Sequence, residues 1–486
     1  MPVPSICKQN PGRTPENSGA TGAMNVGGGQ VCSLADAAWR HPLERLGLPR
    51  PHDTEIDLGA KILLATYGSR GDVEPFLALA LGLKSRGYSV SLMTSTRFAE
   101  WIGAYGVDFL PMSDDTLAQI ETDDGRAVLD SSTGWFKRLN AGRRLAQKAK
   151  PFAKQMIEDA WAGARAFEPD LIIFHPKVLG APHIAEKLRI PAMLVFLQPM
   201  FVPTSAFPVP GFPALPLPGY NRLSYGIVSL SFGLYRKPIN QFRRQIGLPA
   251  ISSRNEVLSP RKLAPVPVLH PIGRHVVPRP DDWPDWAHVT GFWRLPPPAD
   301  YSPDPELKAF LEAGPPPVYA GFGSMPVADP DKLGDMLVKA IRSAGQRGVI
   351  ATGWGGLKAK AANDIFVLDA APHGWLFSRM AAVIHHGGAG TTAAGFHAGV
   401  PSIICPFGVD QPYWAQLSIK LGVGAKPVPR KSMTAEKLEA SIREAVNDQG
   451  MQERARELGK ELRNEDGTGE AVEIIETLLA GAPKRR

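Results

Sequence analysis

The stretch Ala381–Gly390 reads AAVIHHGGAG and continues into Thr391-Thr392-Ala393-Ala394, so an apolar strand ends at two histidines, crosses a glycine-rich turn and opens a helix. Gly387, Gly388 and Gly390 let the backbone approach a ligand. The first N–H groups of a helix lack partners and sit at the positive end of its dipole. That combination suits an anion, a phosphate above all. His385 and His386 are adjacent on a strand, so their side chains face opposite ways and cannot chelate one metal together. A bare strand–glycine–helix junction also serves as an ordinary turn; the residues downstream are what point to a ligand. Val400–Pro412, VPSIICPFGVDQP, reads as a second apolar strand that delivers Asp410 and Gln411 at its carboxyl end, where ligands bind in open α/β sheets. A phosphate cradle followed by an acid and an amide suited to hydroxyl groups suggests a nucleotide-linked sugar.

HHGGAGTT (385–392), preceded by APHGWLF (Ala371–Phe377) and followed by PFGVDQPYWA (Pro406–Ala415), resembles the nucleotide-sugar signature of UDP-dependent glycosyltransferases, most closely that of sterol 3-beta-glucosyltransferases. Two further stretches are similar to the same family: Gly68–Pro75, GSRGDVEP, and Gly321–Met325, GFGSM. The resemblance covers roughly Ala60 to the end of the chain. It implies an α/β protein of the GT-B fold, two Rossmann-like domains with a cleft between them, a UDP-sugar as co-substrate and inversion at the sugar carbon.

Glycosyl transfer of this kind has a cationic sugar in its transition state, a departing diphosphate that gains charge and an acceptor hydroxyl that loses a proton. The base must lie within hydrogen-bond reach of the acceptor oxygen, and the leaving group needs donors or a metal. Asp72 is the expected base, at the end of the first strand, where related plant enzymes carry histidine in a G-H-x-x-P stretch. A competing role for Asp72 is capping the helix that starts at Val73. His175, ending the LIIFHP strand, stands close enough in the chain's layout to assist or to be structural. For the donor, the resemblance implies contacts from Ser69 and Arg70, from His385, Gly387 and Gly388, and from the backbone of Ala389, Gly390 and Thr391, with Ser324 approaching from the other side. It further implies that Asp410 and Gln411 hold sugar hydroxyls and that the uracil rests near His373 and Trp375. Carboxylate pairs on strand-end loops usually mark a nucleotide-bound metal. The one Asp-x-Asp, Asp329-Pro330-Asp331, reads instead as a helix cap, so no metal is expected.

Alternating elements must hold these groups. Ile62–Ala65, Val90–Met93, Leu171–Phe174 and Met193–Phe196 are short apolar runs. They alternate with helical patterns such as Phe76, Leu77, Ala80, Leu81 and Leu83, or Phe152–Phe167, which predicts a parallel sheet. A second series follows at Val318–Ala320, Val349–Ala351, Ile365–Leu368, Val383-Ile384 and Ile403-Ile404. Between Gln198 and Pro280 the pattern breaks into irregular, proline-dense apolar chain. Phe201, Phe207 and Phe212, costly to expose, point to a wall for an apolar acceptor or a membrane contact; the alternative is a loop packed on its own prolines.

A chain of 486 residues exceeds one core. The expected division is a disordered extension over 1–58, an acceptor-binding domain over 59–280, a nucleotide-sugar domain over 281–465, and a last helix within 466–486 that returns to the first domain. Residues 1–58 are rich in Gly, Pro, Ser and Asn and show neither structural period nor the basic start and apolar run of a signal peptide. No uninterrupted apolar run is long enough to span a bilayer. A formal charge of +7 is too diffuse for nucleic acid. Three cysteines, two of them in the leader, exclude a disulfide framework and fit a reducing cytoplasm. The expected function is therefore transfer of a sugar, glucose first, from a UDP-sugar to the hydroxyl of a sterol-like lipid, with peripheral membrane contact and no nucleic-acid partner. A rhamnosyl or deoxysugar transferase stays open within the class, and a non-catalytic lipid- or nucleotide-binding protein outside it.

Overall fold

The computed structural model describes residues 59–115, 153–298, 301–325, 327, 329–353, 355–408 and 410–481. The segment expected to be disordered, 1–58, and Phe152 lie outside these residues.

Seven strands form a first sheet: β1 (Lys61–Ala65), β2 (Ser89–Ser95), β3 (Asp108–Met112), β4 (Leu171–Phe174), β5 (Ala192–Val195), β6 (Val268–His270) and β7 (Ala287–Val289), in the order β3-β2-β1-β4-β5-β6-β7. Every pair is parallel. β4 and β5 are buried along their whole length, as strands covered by helices on both faces must be, and this is why they read as unbroken apolar runs. A second parallel sheet follows: β8 (Val318–Gly321), β9 (Gly348–Ala351), β10 (Ile365–Leu368), β11 (Ala382–His385) and β12 (Ser402–Ile404), ordered β10-β9-β8-β11-β12. The architecture is α/β and of the GT-B type.

In each sheet the chain first winds outward in one direction and then returns to the centre to wind in the other. The reversal falls between β1 and β4 in the first sheet and between β8 and β11 in the second. At such a reversal the flanking connections leave on opposite faces, and a crevice opens beyond the carboxyl ends of the two strands. All four glycine- or histidine-bearing loops singled out above follow these four strands.

β7 lies beyond residue 280 yet pairs with β6 in the first sheet. The last helix, Gly467–Ala480, contributes Ala471, Val472 and Ile475 to the core built around β1 and β4. A separate core beneath the second sheet gathers Val318, Leu337, Ile350, Ile384, Ile403 and Cys405. Cys405 is fully buried there, and burial pushes its thiol up to about 12, so it behaves as a small apolar residue.

The 198–280 region differs from its reading as irregular chain. It holds three helices, Tyr220–Ser224, Gly226–Gly233 and Arg236–Gln245. The middle one, GIVSLSFG, is apolar nearly all round and so shows no helical period. The third is anchored by the buried Arg243, whose guanidinium grips both carboxylate oxygens of Glu186 at 2.6 and 3.2 Å and donates to the Pro249 carbonyl at 2.6 Å. Glu186 belongs to the helix Ala181–Leu188, which packs against β4 and β5.

Candidate active site

The loop after β1 turns into the helix Arg70–Ser85, and Asp72 sits in its first turn. The Ser69 N–H donates to Asp72 Oδ2 at 2.8 Å and the Ser69 hydroxyl at 3.1 Å. Asp72 is therefore the third-position partner in a capping box whose N-cap is Ser69, and not the cap itself. The other oxygen meets the loop after β4. Lys177 Nζ lies 2.8 Å from Asp72 Oδ1, and His175 Nε2 lies 3.7 Å from it. Room for this cluster depends on Gly68, at φ +143°, where a Cβ would stand 2.1 Å from Asp72 Oδ2 and 2.7 Å from the Lys177 nitrogen.

His175 is the first residue after β4. Its Nδ1 accepts the Lys177 N–H at 3.3 Å, which leaves the ring proton on Nε2, toward Asp72. Burial and the Lys177 ammonium drive its pKa down to about 3, so the imidazole is neutral. For Asp72, burial pulls upward, and the Lys177 charge, His175 and the Lys177 and Ser69 hydrogen bonds outweigh it. The carboxyl stays below its ordinary value and is ionised. Of this pair, only Asp72 is an acceptor where they meet; His175 presents a donor.

The second sheet repeats the device. His385, the last residue of β11, accepts the Gly387 N–H on Nδ1 at 3.1 Å, so its Nε2 carries the proton. The ring is fully buried, and among the described residues its Nε2 has no hydrogen-bond partner. Burial, then the His386 and His373 rings, hold its pKa well below the usual value. Gly387 turns the chain at φ +90°, and a Cβ there would lie 2.6 Å from Ile404 Cγ2. The helix Ala389–Ala398 starts at Gly388 with no side chain capping it, which leaves the N–H groups of Ala389, Gly390 and Thr391 available to an anion. The His386 ring lies between the two glycine loops. A Cβ on Gly388 would be 2.4 Å from its Nε2, and one on Gly323 3.5 Å from its Cε1. Ser324, beside Gly323 after β8, is exposed.

Asp410 joins the two halves. Its Oδ2 accepts Trp414 Nε1 at 3.0 Å and, from the first domain, Gln198 Nε2 at 3.2 Å. Burial, with the Asp72 charge, raises its pKa above the ordinary value, against the Trp414 and Gln198 bonds, which lower it. Gln411 turns inward instead. Its amide oxygen accepts the N–H groups of Phe407 and Gly408 at 2.7 and 3.2 Å, and its nitrogen lies 3.4 Å from Met325 Sδ. In this arrangement Gln411 shapes the loop that carries Asp410.

His373 is stacked on Phe377 with centroids 4.4 Å apart. Burial, then the positive charge of Arg70 and the His386 ring, lower its pKa to about 4. Arg70 pairs with Glu74 at 2.9 Å and lies over the Trp101 ring. Trp375 has the Arg379 guanidinium over one face at 4.4 Å and meets Tyr301 edge-on. A cavity of about 430 Å³ opens beside Ala371, between Tyr301 and Asp369. Phe201 stacks on Phe196 at 5.7 Å, and Phe201 and Phe207 pack with Tyr225 and Val228, whereas Phe212 is exposed.

Sequence reasoning missed Lys177, Gln198 and Trp414. Lys177 had a signal, two residues past His175 on a loop that must lie beside the β1 loop; Gln198 is 212 positions from Asp410 and had none. Asp329 caps the helix Pro330–Ser343, its carboxylate accepting the Lys332 N–H at 3.0 Å. Among the described residues no cluster of His, Cys, Asp and Glu is arranged to hold a metal ion, and no helix is long and apolar enough to cross a membrane.

Residues 62–207 match the model of the Glycosyltransferase family 28 N-terminal domain, and residues 353–478 that of the Erythromycin biosynthesis protein CIII-like, C-terminal domain. Two sterol 3-beta-glucosyltransferases of Arabidopsis thaliana are 36% and 34% identical over 421 and 422 residues, each alignment taking in 85% of this chain and 65% and 67% of theirs. A sterol 3-beta-glucosyltransferase of Aspergillus clavatus is 32% identical over 432 residues, 85% of this chain and 29% of its own. The chain thus spans about two thirds of the plant relatives' length and under a third of the fungal one's. Among solved structures, the glycotransferase of kitacinnamycin superposes with a TM-score of 0.63 at 20% identity, covering 86% of this chain and 99% of that one. CalG4, the calicheamicin glycosyltransferase, gives 0.62 at 17%, covering 88% and 100%. At those identities the likeness is one of fold.

Proposed function

The chain belongs to the family of these sterol 3-beta-glucosyltransferases, and on that premise we propose that it is an inverting hexosyltransferase that moves glucose from UDP-glucose to the hydroxyl of a sterol-like membrane lipid. One observation carries the reading. An ionised carboxylate, Asp72, follows the reversal of winding in one sheet and an uncapped, glycine-turned helix start follows it in the other; the helices Arg70–Ser85 and Ala389–Ala398 touch, and Asp410 and Gln198 join the two halves. Base and phosphate site on opposite walls are what an in-line displacement requires.

The acceptor oxygen attacks the anomeric carbon from the Asp72 side while the bond from that carbon to the UDP phosphate oxygen breaks, and the acceptor's proton passes to the Asp72 carboxylate. His175 Nε2–H and Lys177 steady the negative charge of Asp72 before transfer. Charge developing on the diphosphate meets the N–H groups of Ala389, Gly390 and Thr391 and the unpartnered His385 Nε2–H, with the Ser324 hydroxyl opposite. Asp410 accepts sugar hydroxyls on the oxygen that Trp414 and Gln198 leave free. The nucleobase lies by His373 and Trp375. Diphosphate charge is met by protein donors, so we propose turnover without a metal. The enzyme would work in the cytoplasm, against a membrane that holds its acceptor.

The test is a donor-by-acceptor turnover screen with EDTA present: UDP-glucose, UDP-galactose and dTDP-rhamnose against sterols and hydroxy fatty acids. Transfer from UDP-glucose to a sterol is the expected result. Transfer only from dTDP-rhamnose would replace the donor assignment, and UDP binding without transfer to any acceptor would replace catalysis by a binding role.

A further inference from the structure

Nine large apolar side chains are exposed among the described residues, and eight of them lie between Phe212 and Tyr235. Chance does not gather them so. Leu223, Ile227, Leu230 and Leu234, at 78%, 46%, 52% and 78% exposure, follow i, i+4, i+7, i+11 along the consecutive helices Tyr220–Ser224 and Gly226–Gly233 and onto Leu234, which caps the second. That spacing is one helical face, and it looks outward. The opposite face, Tyr225 and Val228, is buried. Ahead of it runs the loop Gly211–Gly219, GFPALPLPG, exposed throughout, with Phe212, Leu215 and Leu217 at its surface.

We propose that this helical face and loop form a membrane-docking element that enters the interface of a bilayer bearing anionic headgroups. The proposal rests on the reading of the acceptor as a membrane lipid for its purpose, and on three further observations for its substance. First, the stretch from Lys187 to Asn255 holds eight Lys and Arg and no Asp or Glu. Arg222, Arg236, Lys237 and Arg254 of that set are exposed around the apolar face. Of the carboxylates from elsewhere, Asp282 is spent on Arg222, Thr204 and Ser205, Glu186 on Arg243, and Glu256 on Ser252, Ser253 and Arg261. An apolar face with a rim of one positive sign complements an anionic lipid surface. A second copy of the chain would set that rim against itself.

Second, six of the ten residues 211–220 present no unpaired backbone N–H. Backbone N–H groups in lipid need partners. Within 211–220, Pro213, Pro216 and Pro218 have no N–H, and those of Phe212, Leu217 and Tyr220 are bonded to the carbonyls of Val209, Leu215 and Leu217. Third, the element's inner side is continuous with the cleft. Tyr225 and Val228 pack with Phe201 and Phe207, Phe201 stacks on Phe196 at the end of β5, and Gln198 between those two reaches Asp410. A lipid leaving the bilayer at this element meets apolar side chains on its way to the sugar.

Flotation of the purified full-length protein with vesicles tests this. Pure phosphatidylcholine vesicles are compared with ones holding about 30% phosphatidylserine at ~0.1 M salt. The wild type is expected to float with the anionic vesicles and less with the neutral ones. Leu223→Ser, Leu230→Ser and Leu234→Ser combined should lower partition by about a hundredfold or more, since each loses the insertion of a leucine side chain. Their exposure predicts an unchanged melting temperature. Arg236→Gln with Lys237→Gln should weaken binding to anionic vesicles alone. Turnover of a sterol carried by cyclodextrin should stay at the wild-type level in the triple variant, and turnover of sterol in vesicles should fall. Flotation of the triple variant like wild type would overturn the proposal. So would a lipid-free dimer, seen by sedimentation, that the triple variant abolishes, because the face would then join copies. Flotation lost in the variant although no sterol is turned over would leave the docking element standing and the sterol reading overturned.

Discussion

Replacing Asp72 by Asn separates chemistry from architecture at the point where the two meet. The carboxylate does three things: it accepts Ser69 at the helix start, it pairs with Lys177, and it is the proton acceptor in the proposed transfer. Asn keeps an oxygen for the Ser69 N–H and turns an amide toward Lys177. The lost ion pair involves a lysine whose side chain is half exposed, so it is worth about 0.2–1 kcal/mol. At about 2–4 °C per kcal/mol for a domain of this size, the melting temperature should move by a few degrees at most. Loss of the base is larger. General-base catalysis contributes about 10²–10⁴-fold, or about 3–5 kcal/mol of barrier. The proposed donor contacts, Ser69 and Arg70 apart, lie on the other sheet, so UDP affinity should hold within about twofold, and the fall should appear in kcat rather than KM. Initial rates with UDP-glucose and sterol, calorimetric titration with UDP and a thermal melt supply the three readings. Asp72→Ala is the companion variant: equally inactive, and less stable by a further ~0.5–1.5 kcal/mol because the acceptor for the Ser69 N–H is gone. A kcat within about tenfold of wild type in the Asn variant would refute the base assignment. A parallel collapse of UDP affinity would refute the division of labour between the sheets.

Lys177→Met removes the charge that helps hold the Asp72 carboxyl below its ordinary value of 3.8. Activity needs the carboxylate and is lost as pH falls through its pKa, so the acid limb of kcat against pH should move to higher pH in the variant; an unmoved limb counts against the pairing. Gly387→Ala puts a Cβ 2.6 Å from Ile404 Cγ2 on a residue at φ +90°, which should cost about 1–3 kcal/mol of stability and weaken UDP binding together. Both are read by urea unfolding and titration, and a variant that binds UDP as tightly as wild type contradicts the phosphate-turn assignment. Arg243→Met leaves Glu186 buried and unpaired, a loss of about 3–5 kcal/mol, while Arg243→Met with Glu186→Leu should recover most of it. Equilibrium unfolding of the two variants, with equal stability as the contrary result, decides whether this pair anchors the helix Arg236–Gln245.

Much of the fold was legible because parallel strands covered on both faces must be continuously apolar, and their carboxyl ends must give way to polar or glycine-rich turns. β1, β4, β5 and β11 announce themselves in this way. β3 was missed because DFLPM carries an acid and a proline, and β6 and β7 because three residues are too few to show any period. β7 also carries the first sheet beyond residue 280. The apolar helix Gly226–Gly233 was hidden for the opposite reason: with apolar residues nearly all round, it has no contrast to detect. At the site, each loop could be read, but not its neighbours. The contact of Lys177 with Asp72 spans 105 positions and exists because β4 returns to lie beside β1, a fact of strand order that local sequence does not carry. Gln411 shows the converse limit. Its type suits sugar hydroxyls, yet its oxygen already serves two backbone N–H groups, a use that depends on how tightly the Phe407–Gln411 turn closes.

The histidines at the ends of β4 and β11 occupy corresponding places in the two sheets, each just past the reversal of winding, and each has its proton fixed by the amide two residues on. Such a ring is a rigid, uncharged donor. It lends a hydrogen bond to an anion without adding a titrating cation to the cleft. One half of the molecule spends that part on its own carboxylate, and the other holds it ready for a phosphate brought from outside. Across the neutral range neither ring changes charge, so the positive field that greets a nucleotide diphosphate comes from backbone dipoles and from residues such as Arg70, and its strength should follow ionic strength far more than acidity.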